Sequence, residues 1–557
     1  MGVVTVFAID GCPFCDRAKK NLSDRNIPYT EINLSSSPDK RSDMLSLSDS
    51  LTVPQIFFNE KHIGGATETI ALLEQWDTTD GGALEMFERE IQSKPNPPDT
   101  KLQPSTLPPK KEAVPPPRNK DDAINLPSKT GTTTTTMTIL EMTQRLIKIV
   151  PKHDLGYHGK TYKHCATGSA IVESLRTEFF TDADTETDVI EFGRYLQQKE
   201  LLHHVKYEHD FCGDKNLYFR LQPYQTPNVM NSYRIWTDRV DTDSISIVAR
   251  LNKSMLGIQK RAMITLTTPN NDDGEGEKQN DGNVAAKATT TPSTSSVVDL
   301  SLAVQDDKYA QFEEEICELQ GVNMSSMDNN EKTAFSINVY NLMIKYAQIK
   351  YGVPDNAAQR SSFFGNIQMN IGHDLFSFSE LENGILRANS KAPYSLSKPF
   401  ANKGDTRVKL SLDTVDNRIH FALNCGAHSC PPVKKFTATD LQEELRIVAL
   451  AFCEQDDNVR IIDTKKDSEL CLNMIFKWYE KDFASSTKEL PSTIVNYLRG
   501  HRKETLQKMI DSKKSIKVKF NTYDWNAPVT NGKTLDVSAL KADQYQIHKS
   551  LFGKGKK

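Results

Sequence analysis

Three stretches of the chain carry the hydrophobic periodicity of folded structure: residues 1–93, 137–225 and 226–546. In the first stretch, the β-branched and aromatic run at 3–8 predicts a strand, and CPFC then opens a helix. A further strand at 55–58 is followed by glycines and another helical start. This alternation of strands and helices predicts a small α/β domain.

The second stretch is helical first and strand-like at its end. Apolar residues recur at helical spacing in 142–150, and further helices are predicted at 168–175 and 187–199. Two short alternating runs, at 203–205 and 217–220, predict a β wing. The pattern indicates a compact helical domain closed by a small hairpin.

The third stretch mixes both periods, which predicts an α+β domain. Residues 331–350 form a helix whose apolar stripe is Phe335, Val339, Leu342, Tyr346 and Ile349. Asn338 lies within that stripe and Asn341 at its edge. A buried amide must be hydrogen-bonded, so these asparagines either brace the fold or belong to a site.

Further along, residues 370–377 have the character of a strand, and Ser379 with Glu382 predicts a capping box for the helix 380–387. Residues 418–425 alternate strictly, which predicts a strand that ends at the turn of Gly426. Its apolar face would hold Ile419, Phe421, Leu423 and Cys425.

Two polar stretches are predicted to lack a core. Residues 94–136 are rich in proline and threonine, which favours an extended, disordered spacer. Residues 267–299 are polar and glycine-rich, which predicts a disordered insertion inside a helical connector, 226–330.

Composition narrows the class of protein. The net charge is −4, with 69 basic and 73 acidic side chains, which argues against a general nucleic-acid binder. The nine cysteines are scattered over 557 residues, which is typical of a reducing, cytoplasmic setting. No run of about 18 apolar residues predicts a membrane span.

The candidate chemistry of the first stretch is the pair Cys12 and Cys15. A helix N-terminus carries unpaired amides and partial positive charge, so a thiolate at Cys12 is favoured there. Pro13 suits the first helical turn because its missing N–H has no partner to lose. The basic side chains nearby are Arg17, Lys19 and Lys20.

The segments CPFC and TVPQIFFNEKHIGG resemble those of dithiol glutaredoxins, whose usual motif is CPYC. The resemblance implies a thioredoxin fold, glutathione as co-substrate, Cys12 as nucleophile and Cys15 as resolving thiol. It also implies a cis Pro54 facing the active site, and a glutathione site formed by Pro13, Phe14, Val53, Pro54, Gly65, Thr67 and Glu68. One departure is Ile9, where many members carry Lys or Arg.

The alternative interpretation of a CxxC pair is that it supplies half of the ligands of a zinc site. His62 is the only other obvious ligand in this stretch, whereas the TVP and GG elements both fit glutathione. We therefore expect no metal.

The second stretch resembles a DEP domain through GSAIVESL, LLHHVKYEHDF and NLYFRL. The resemblance implies a winged-helix module without catalytic residues that docks to a membrane surface or a receptor. His203 and His204 are neighbours on one strand and point to opposite faces, so we expect packing and not metal binding. Docking to acidic lipid could use Lys148, Lys152, Lys160 and Lys163.

The third stretch resembles the domain of unknown function 547 family over about 220 residues, through SINVYN, NIGHDLFSFSELENGILR, RIHFALNCGAHSCPP, IFKWYEKDF and YDW. The family is grouped with papain-like folds, which place a cysteine on the core helix and a histidine later. Here the helix offers only Asn338 and Asn341, and His373 follows it. The candidate site also includes two cysteines and a histidine that come later in the chain: Cys425, Cys430 and His428.

Two interpretations of these thiols stay open. One of them can pair with His373 or His428, because catalytic geometry does not require chain order. Alternatively, NCGAHSC is a structural turn, since a buried cysteine behaves as a small hydrophobe. Three further cysteines lie in segments with helical periodicity and are predicted to be buried in the core: Cys317, Cys453 and Cys471.

Three functions are compatible with this organisation. The first is a glutathione-dependent oxidoreductase that acts on glutathionylated or disulfide-bonded proteins and is coupled to a docking domain. The second is a signalling scaffold that senses redox state. The third is a cysteine peptidase or transferase activity in the C-terminal domain. We expect a cytoplasmic protein that is peripheral at membranes if the second stretch binds lipid.

Overall fold

The computed structural model describes residues 3–9, 12–34, 37, 40–48, 50, 53–79, 81–93, 102, 123–127, 135–157, 160–236, 243–268, 293–393, 395–464, 468–512 and 515–540. Asp10, Gly11 and Thr52 of the sequence motifs lie outside these ranges, as does most of the two polar stretches. The chain divides into two compact units, Met1–Asn119 and Lys120–Lys557.

The first unit contains a four-stranded sheet in the order β2-β1-β3-β4. Strand β1 is parallel to β2 and antiparallel to β3, and helix α1 packs against α3. The elements are β1 Val4–Ala8, α1 Pro13–Ser23, β2 Tyr29–Asn33, α2 Lys40–Ser48, β3 Gln55–Phe58, β4 Lys61–Gly64, α3 Ala66–Asp77 and α4 Gly82–Phe87. This is the thioredoxin fold that the sequence predicts.

Strand β1 is central because every one of its side chains is buried. Val4, Val6 and Ala8 join one core cluster with the cysteines of α1, whereas Phe7 meets Phe57 edge to face, with ring centroids 5.8 Å apart. Alternate residues of a strand point to opposite faces, so the sheet is covered on both sides. The central strand therefore fixes the place where the chain enters α1.

The second unit begins with a winged-helix domain, which confirms the predicted helices and wing. Its sheet has the order β7-β8-β10-β9, and a separate two-stranded sheet joins β5 and β6. The elements are β5 Ala123–Asn125, β6 Thr136–Thr138, α5 Ile139–Ile149, β7 His153–Tyr157, β8 Lys160–Thr167, α6 Gly168–Phe179, α7 Glu186–Gln198, β9 Leu202–His204 and β10 Tyr218–Leu221.

The predicted spacer 94–136 is wrong at its C-terminal end, because β5 pairs with β6 there. Ile124 is fully buried in the core of the winged-helix domain, so hydrophobic burial holds this strand in place.

The rest of the second unit is built around α11, which is buried along most of its length. Its elements are α8 Ser244–Arg261, β11 Met263–Thr268, β12 Ser293–Asp299, α9 Leu300–Gln305, α10 Tyr309–Glu315, α11 Asn329–Tyr351, α12 Ala357–Asn366, β13 Gln368–Ile371, β14 Asp374–Ser377, α13 Leu441–Cys453, β15 Val459–Asp463, β16 Ser468–Leu472, α14 Ile475–Trp478, α15 Glu480–Phe483, α16 Leu490–Ile494, α17 Gly500–Asp511, β17 Lys517–Phe520 and β18 Val529–Thr530. One large hydrophobic core joins these elements.

The predicted strand 418–425 is wrong. Residues Asn417–Phe421 form a 3₁₀ turn that is capped by Asp416, because Arg418 N donates to Asp416 Oδ1 over 3.0 Å. Ile419, His420 and Phe421 are all buried, which one face of a strand cannot achieve. Cys471 is buried as expected, but it lies in strand β16 and not in a helix.

The capping box also differs from the prediction. It is formed by Ser377 and Glu380: Ser377 N donates to Glu380 Oε2 over 2.8 Å, and Glu380 N to Ser377 Oγ over 3.2 Å. The turn that follows, Glu380–Leu386, is a π-helix, and Ser379 makes no side-chain cap.

The predicted insertion 267–299 is wrong at both ends. Strands β11 and β12 pair in antiparallel register from Met263↔Val298 to Thr268↔Ser293, and β12 continues into a parallel pairing with β18. The run of β-branched residues at both ends favours this ladder. The intervening residues 269–292 lie outside the described ranges.

A hydrogen-bonded seam joins the segment after the winged-helix domain to strand β13. Met230 N donates to the carbonyl of Gln368 over 2.8 Å, and Gln368 N donates to the carbonyl of Asn228 over 2.8 Å. Asn231 completes the seam, because its amide exchanges two hydrogen bonds with the backbone of Asn370, each of 2.8 Å.

Candidate functional site

The first candidate site lies where strand β1 ends and helix α1 begins. Cys12 is the N-cap residue of α1, and its sulfur accepts a hydrogen bond from the backbone N–H of Cys15 over 3.1 Å. The two cysteines form a disulfide with their Cα atoms 5.2 Å apart. Cys12 retains 8% of its surface exposed, whereas Cys15 is fully buried. The helix start therefore presents one sulfur to the solvent and keeps the other behind it.

A cis peptide bond between Val53 and Pro54 lies opposite the cysteines. The sulfur of Cys12 is 3.8 Å from the carbonyl oxygen of Val53. Pro54 leads directly into the buried strand β3, so the sheet fixes the position of this backbone. The resemblance to glutaredoxins implies the same cis bond at this position.

The N-terminus of helix α3 adjoins the same loop. A Cβ on Gly65 would lie 3.5 Å from the carbonyl oxygen of Pro54. Gly65 N donates to Glu68 Oε2 over 3.0 Å, which caps the helix, and the side chains of Thr67 and Glu68 are exposed. Gly64 has a φ of +124°, a conformation that favours glycine. The start of helix α3 and the carboxylate of Glu68 thus adjoin the loop that contains the cis peptide bond.

An exposed aromatic ring borders this site. Phe14 keeps 58% of its surface exposed, and the guanidinium of Arg17 lies 5.5 Å from the centre of its ring. Of the other basic residues, Lys19 is paired with Glu31 at 3.1 Å. An apolar ring with a cation above it suits a peptide-like ligand with a carboxylate.

His62, the alternative metal ligand, is hydrogen-bonded to a side chain of the neighbouring strand. Its Nε2 lies 2.7 Å from Gln55 Oε1, and burial lowers the pKa of its imidazole.

The second candidate site is a cavity of about 670 Å³ in the C-terminal domain. It is lined by Cys425 and Cys430, whose sulfurs are 2.8 Å apart. The hydroxyl of Tyr523 lies 3.3 Å from the sulfur of Cys425 and 3.2 Å from that of Cys430. The rest of the wall mixes polar, aliphatic and aromatic side chains, and its Phe, Tyr and Trp residues are Tyr340, Phe364, Trp478, Tyr479 and Trp525.

A chain of hydrogen-bonded polar groups forms part of the cavity wall and continues behind it to Asp482. Asp482 accepts a hydrogen bond from His420 Nε2 over 2.8 Å, and the His420 ring stacks on Tyr479 with centroids 3.9 Å apart. The hydroxyl of Tyr479 donates to Glu382. Burial lowers the pKa of His420, so its imidazole is neutral at pH 7 and its Nε2–H is the donor. Burial opposes ionisation of Asp482, but hydrogen bonds from His420 and Arg387 lower its pKa to about 2.

The predicted residues of the C-terminal domain separate into two groups. Cys425 and Cys430 come together in the cavity, and neither His373 nor His428 lines it. His373 occupies the turn between β13 and β14, with a φ of +68°, and borders a smaller cavity of about 50 Å³. The side chain of His428 is exposed.

The two asparagines of α11 bond to backbone on either side of the thiols. Asn338 donates from Nδ2 to the carbonyl of Phe436 over 2.7 Å and accepts from its N–H over 3.0 Å. Asn341 donates to the carbonyl of Ala422 over 3.0 Å and accepts from the N–H of Asn424 over 2.9 Å. Both amides hold chain segments in place beside the cavity.

Sequence reasoning did not assign to a site four polar residues that line the cavity, His420, Glu382, Tyr479 and Tyr523, or Asp482, which is hydrogen-bonded to His420. These residues are far from one another in the sequence. The sequence feature that could have indicated them is a charged or polar side chain within an aromatic segment. The segments RIHFALNC, IFKWYEKDF and YDW contain four of these residues.

In the winged-helix domain, His203 and His204 are both buried in strand β9. Burial lowers the pKa of each to about 4. Of the basic residues, Lys148, Lys152 and Lys160 are exposed and Lys163 is half-buried. None of the helices in the described part of the chain is long and apolar enough to cross a membrane.

A thioredoxin fold with a dithiol at the start of its first helix defines the class of thiol–disulfide oxidoreductases. Comparison with known proteins agrees: the glutaredoxin family model matches residues 4–63. Glutaredoxin 3 of Escherichia coli K12 is 38% identical over 72 residues, which are 13% of this chain and 87% of that protein. The glutaredoxins of Pseudomonas aeruginosa and Neisseria meningitidis serogroup A are 35% identical over 72 residues and 36% over 76. These alignments cover 13% and 14% of this chain and 86% and 89% of the relatives.

The chain belongs to the glutaredoxin family through its N-terminal unit, which is a thiol oxidoreductase. Two further family models match the second unit. Residues 150–221 match the domain found in Dishevelled, Egl-10 and Pleckstrin (DEP), a signalling module. Residues 324–453 match the protein of unknown function DUF547.

Proposed function

We propose that the N-terminal unit reduces glutathione mixed disulfides and protein disulfides, with Cys12 as nucleophile, Cys15 as resolving thiol and glutathione as co-substrate. The observation that carries the proposal is the placement of the two sulfurs. Cys12 is the accessible one and accepts the amide of Cys15 at the helix start, whereas Cys15 is fully buried. A thiolate at Cys12 would gain that hydrogen bond and the positive end of the helix dipole.

The surroundings of Cys12 support a site for a tripeptide. The backbone of Val53 is held open by the bond to Pro54, so it can pair with glutathione as a strand would. At the start of α3, the amides beside Gly65 suit the carboxylate of the γ-glutamyl group, and the exposed Thr67 and Glu68 can hold its ammonium. The backbone at Pro13 and the ring of Phe14 would line the other side of the ligand.

The reaction then has three stages. The Cys12 thiolate attacks a disulfide sulfur of the substrate and releases a substrate thiolate, which takes up a proton. Cys15 then gives up its proton and attacks the sulfur of Cys12, which releases the thiol still bound there and forms the Cys12–Cys15 disulfide. Two glutathione molecules reduce that disulfide by two successive exchanges and leave as glutathione disulfide. With a glutathionylated substrate, glutathione can instead attack the mixed disulfide on Cys12 directly, which frees Cys12 and releases glutathione disulfide in one exchange.

Turnover of a glutathionylated peptide and of hydroxyethyl disulfide by the full chain tests this assignment. Cys12→Ser should abolish both activities, because no other exposed thiol stands at the helix start. Cys15→Ser should keep much of the activity on the glutathionylated peptide, because glutathione can resolve the intermediate. Cys212→Ser, a partly buried cysteine of the DEP domain, is the matched control and should change neither rate. Equal loss in the Cys12 and Cys15 variants would contradict the assignment.

We further propose that the DEP domain docks the oxidoreductase to acidic lipid. The exposed Lys148, Lys152 and Lys160 support this proposal, because each lysine near an anionic surface contributes about 1 kcal/mol of attraction. Cosedimentation of the full chain with phosphatidylserine vesicles at low salt should exceed that with neutral vesicles. Glutamine at all three lysines should remove the difference, and binding that persists would contradict docking through these residues.

A further inference from the structure

The cavity of the C-terminal domain brings together two thiols that the N-terminal chemistry does not use. The sulfurs of Cys425 and Cys430 are 2.8 Å apart, and neither residue is fully buried. A disulfide bond is about 2.05 Å long, so the sulfurs would have to approach by about 0.8 Å to form one. The remaining free cysteines are single thiols, and four of them are buried: Cys165, Cys317, Cys453 and Cys471.

Hydrogen bonds within the loop and its packing on helix α11 fix the conformation of the chain between the two thiols. Asn424 donates from Nδ2 to the carbonyl of Pro431 over 2.7 Å and accepts from Gly426 N over 2.7 Å. Gly426 has a φ of +87°, and a Cβ there would lie 2.4 Å from Gln348 Nε2. The loop therefore needs glycine at this turn, and it packs tightly on helix α11.

Hydrogen bonds to residues 524–526 also hold this loop in place. His428 N donates to the carbonyl of Asn526 over 2.8 Å, and Asp524 N donates to Ser429 Oγ over 2.9 Å. These bonds also fix Tyr523, whose hydroxyl touches both sulfurs. The thiols are thus pre-positioned for each other, which a merely structural turn does not require.

The two sulfurs have different roles in this arrangement. The sulfur of Cys430 accepts the backbone N–H of Cys425 over 3.1 Å. Burial by itself would raise the pKa of Cys430, but hydrogen bonds from Cys425 and Tyr523 lower it to about 7. The hydrogen bond to Cys430, together with burial, raises the pKa of Cys425. The backbone N–H of Cys425 stabilises negative charge on the Cys430 sulfur, so Cys430 is the nucleophile in the exchange proposed below.

We propose that Cys425 and Cys430 are a second redox-active dithiol, which glutathione disulfide oxidises and which the glutaredoxin unit of this chain reduces. Reduction of this dithiol by the glutaredoxin unit rests on the function proposed above. The disulfide between Cys425 and Cys430 would then be one protein substrate of that function. The cavity of about 670 Å³ gives glutathione disulfide access to the sulfurs.

The oxidation proceeds by two thiol–disulfide exchanges. The Cys430 thiolate attacks one sulfur of glutathione disulfide, which breaks that S–S bond and releases one glutathione. Cys425 then gives up its proton and attacks the sulfur of Cys430, which releases the second glutathione. Two electrons pass from the cysteines to glutathione disulfide, and reduction by Cys12 and Cys15 with two glutathione molecules reverses the step.

The test follows the tryptic peptide 419–434, which contains both cysteines, in the full chain. After incubation with glutathione disulfide and alkylation, the peptide should lose two hydrogen atoms and stay unalkylated. In the Cys425→Ser variant, glutathione should remain attached to Cys430, because the resolving thiol is missing. A peptide that is alkylated at both cysteines after this incubation would overturn the proposal.

The reductive half is read from the same peptide. With glutathione as reductant, the oxidised dithiol should be restored at least about tenfold more slowly in Cys12→Ser than in the native chain. Equal rates in these two chains would show that the glutaredoxin unit is not its reductant. Hydroxyethyl disulfide turnover is measured on the same native preparation, and its absence there would count against the function proposed above.

Discussion

Arg387 and Asp482 form a bidentate ion pair inside the C-terminal domain, with Nε–Oδ2 and Nη2–Oδ1 distances of 2.6 and 2.8 Å. Only 5% and 7% of their side chains are exposed. The Arg387→Ala variant should lose about 3–5 kcal/mol of unfolding free energy, because it leaves a buried carboxylate with His420 alone. Urea denaturation followed by tryptophan fluorescence measures the loss.

Arg446 provides the matched control for this prediction. It pairs with Glu443 at 2.7 Å, but 46% and 47% of the two side chains are exposed. Arg446→Ala should therefore cost less than about 1 kcal/mol. Similar losses in the two variants would show that burial does not set the strength of the Arg387–Asp482 pair.

Asn341 joins helix α11 to the backbone on both sides of Leu423. Asn341→Leu should cost about 2–3 kcal/mol of unfolding free energy, because it leaves a buried carbonyl and a partly buried N–H without this partner. The same variant should slow disulfide formation between Cys425 and Cys430, because the loop loses its anchor. Asn496→Leu is the control: its amide bonds only to the exposed carbonyl of Ser492. Unaltered oxidation in a destabilised Asn341→Leu protein would argue against pre-positioning by this residue.

Tyr523 donates its hydroxyl to the sulfur that carries the charge. Tyr523→Phe removes one hydrogen bond that lowers the pKa of Cys430, so that pKa should rise from about 7. The rate of alkylation of Cys430 by iodoacetamide at pH 7 should fall, and its pH midpoint should move upward. Peptide mass spectrometry resolves the site, and Tyr195→Phe in the DEP domain is the control. A midpoint that stays in place would contradict the role of the hydroxyl.

His203 and His204 make the DEP domain sensitive to acid. Burial lowers the pKa of each to about 4, against about 6.5 in an unfolded chain. The unfolded state therefore binds more protons between these values. Stability is complete above about pH 6.5 and falls as the pH decreases towards 4, by at most about 3 kcal/mol for each histidine.

Hydrogen exchange of DEP peptides along urea titrations at several pH values checks this prediction. His203→Gln should remove about half of the loss between pH 6.5 and 4. His153→Gln, which replaces an exposed histidine of the same domain, should leave the profile unchanged. A wild-type profile that is flat in this range would show that the buried histidines do not titrate on unfolding.

The first site could be predicted from the sequence because its functional residues lie within short motifs. Cys12 and Cys15 are one helical turn apart, and Gly65 is the N-cap of helix α3, so short sequence motifs indicate their positions. The second site was only half readable. Cys425 and Cys430 are five residues apart, whereas His420 and Asp482 are 62 residues apart and meet only through packing.

The alternation at 418–425 misled for a related physical reason. Ile419 and Phe421 are both buried, as period-two spacing predicts, but His420 between them is buried as well, against Asp482. A polar residue with a buried ionic partner looks from the sequence like the solvent face of a strand. Asn338 and Asn341 illustrate the opposite case, because a polar residue in an apolar helical stripe correctly signalled buried hydrogen bonds.

The seam between residues 228–231 and strand β13 determines where this protein can be divided. A fragment that starts at residue 324, where the DUF547 match begins, would lose Asn228, Met230 and Asn231 as partners. Strand β13 would then present a bare edge to solvent, and such edges recruit strands from other molecules and promote aggregation. Soluble fragments of the C-terminal half should therefore begin near Lys120, the first residue of the second unit.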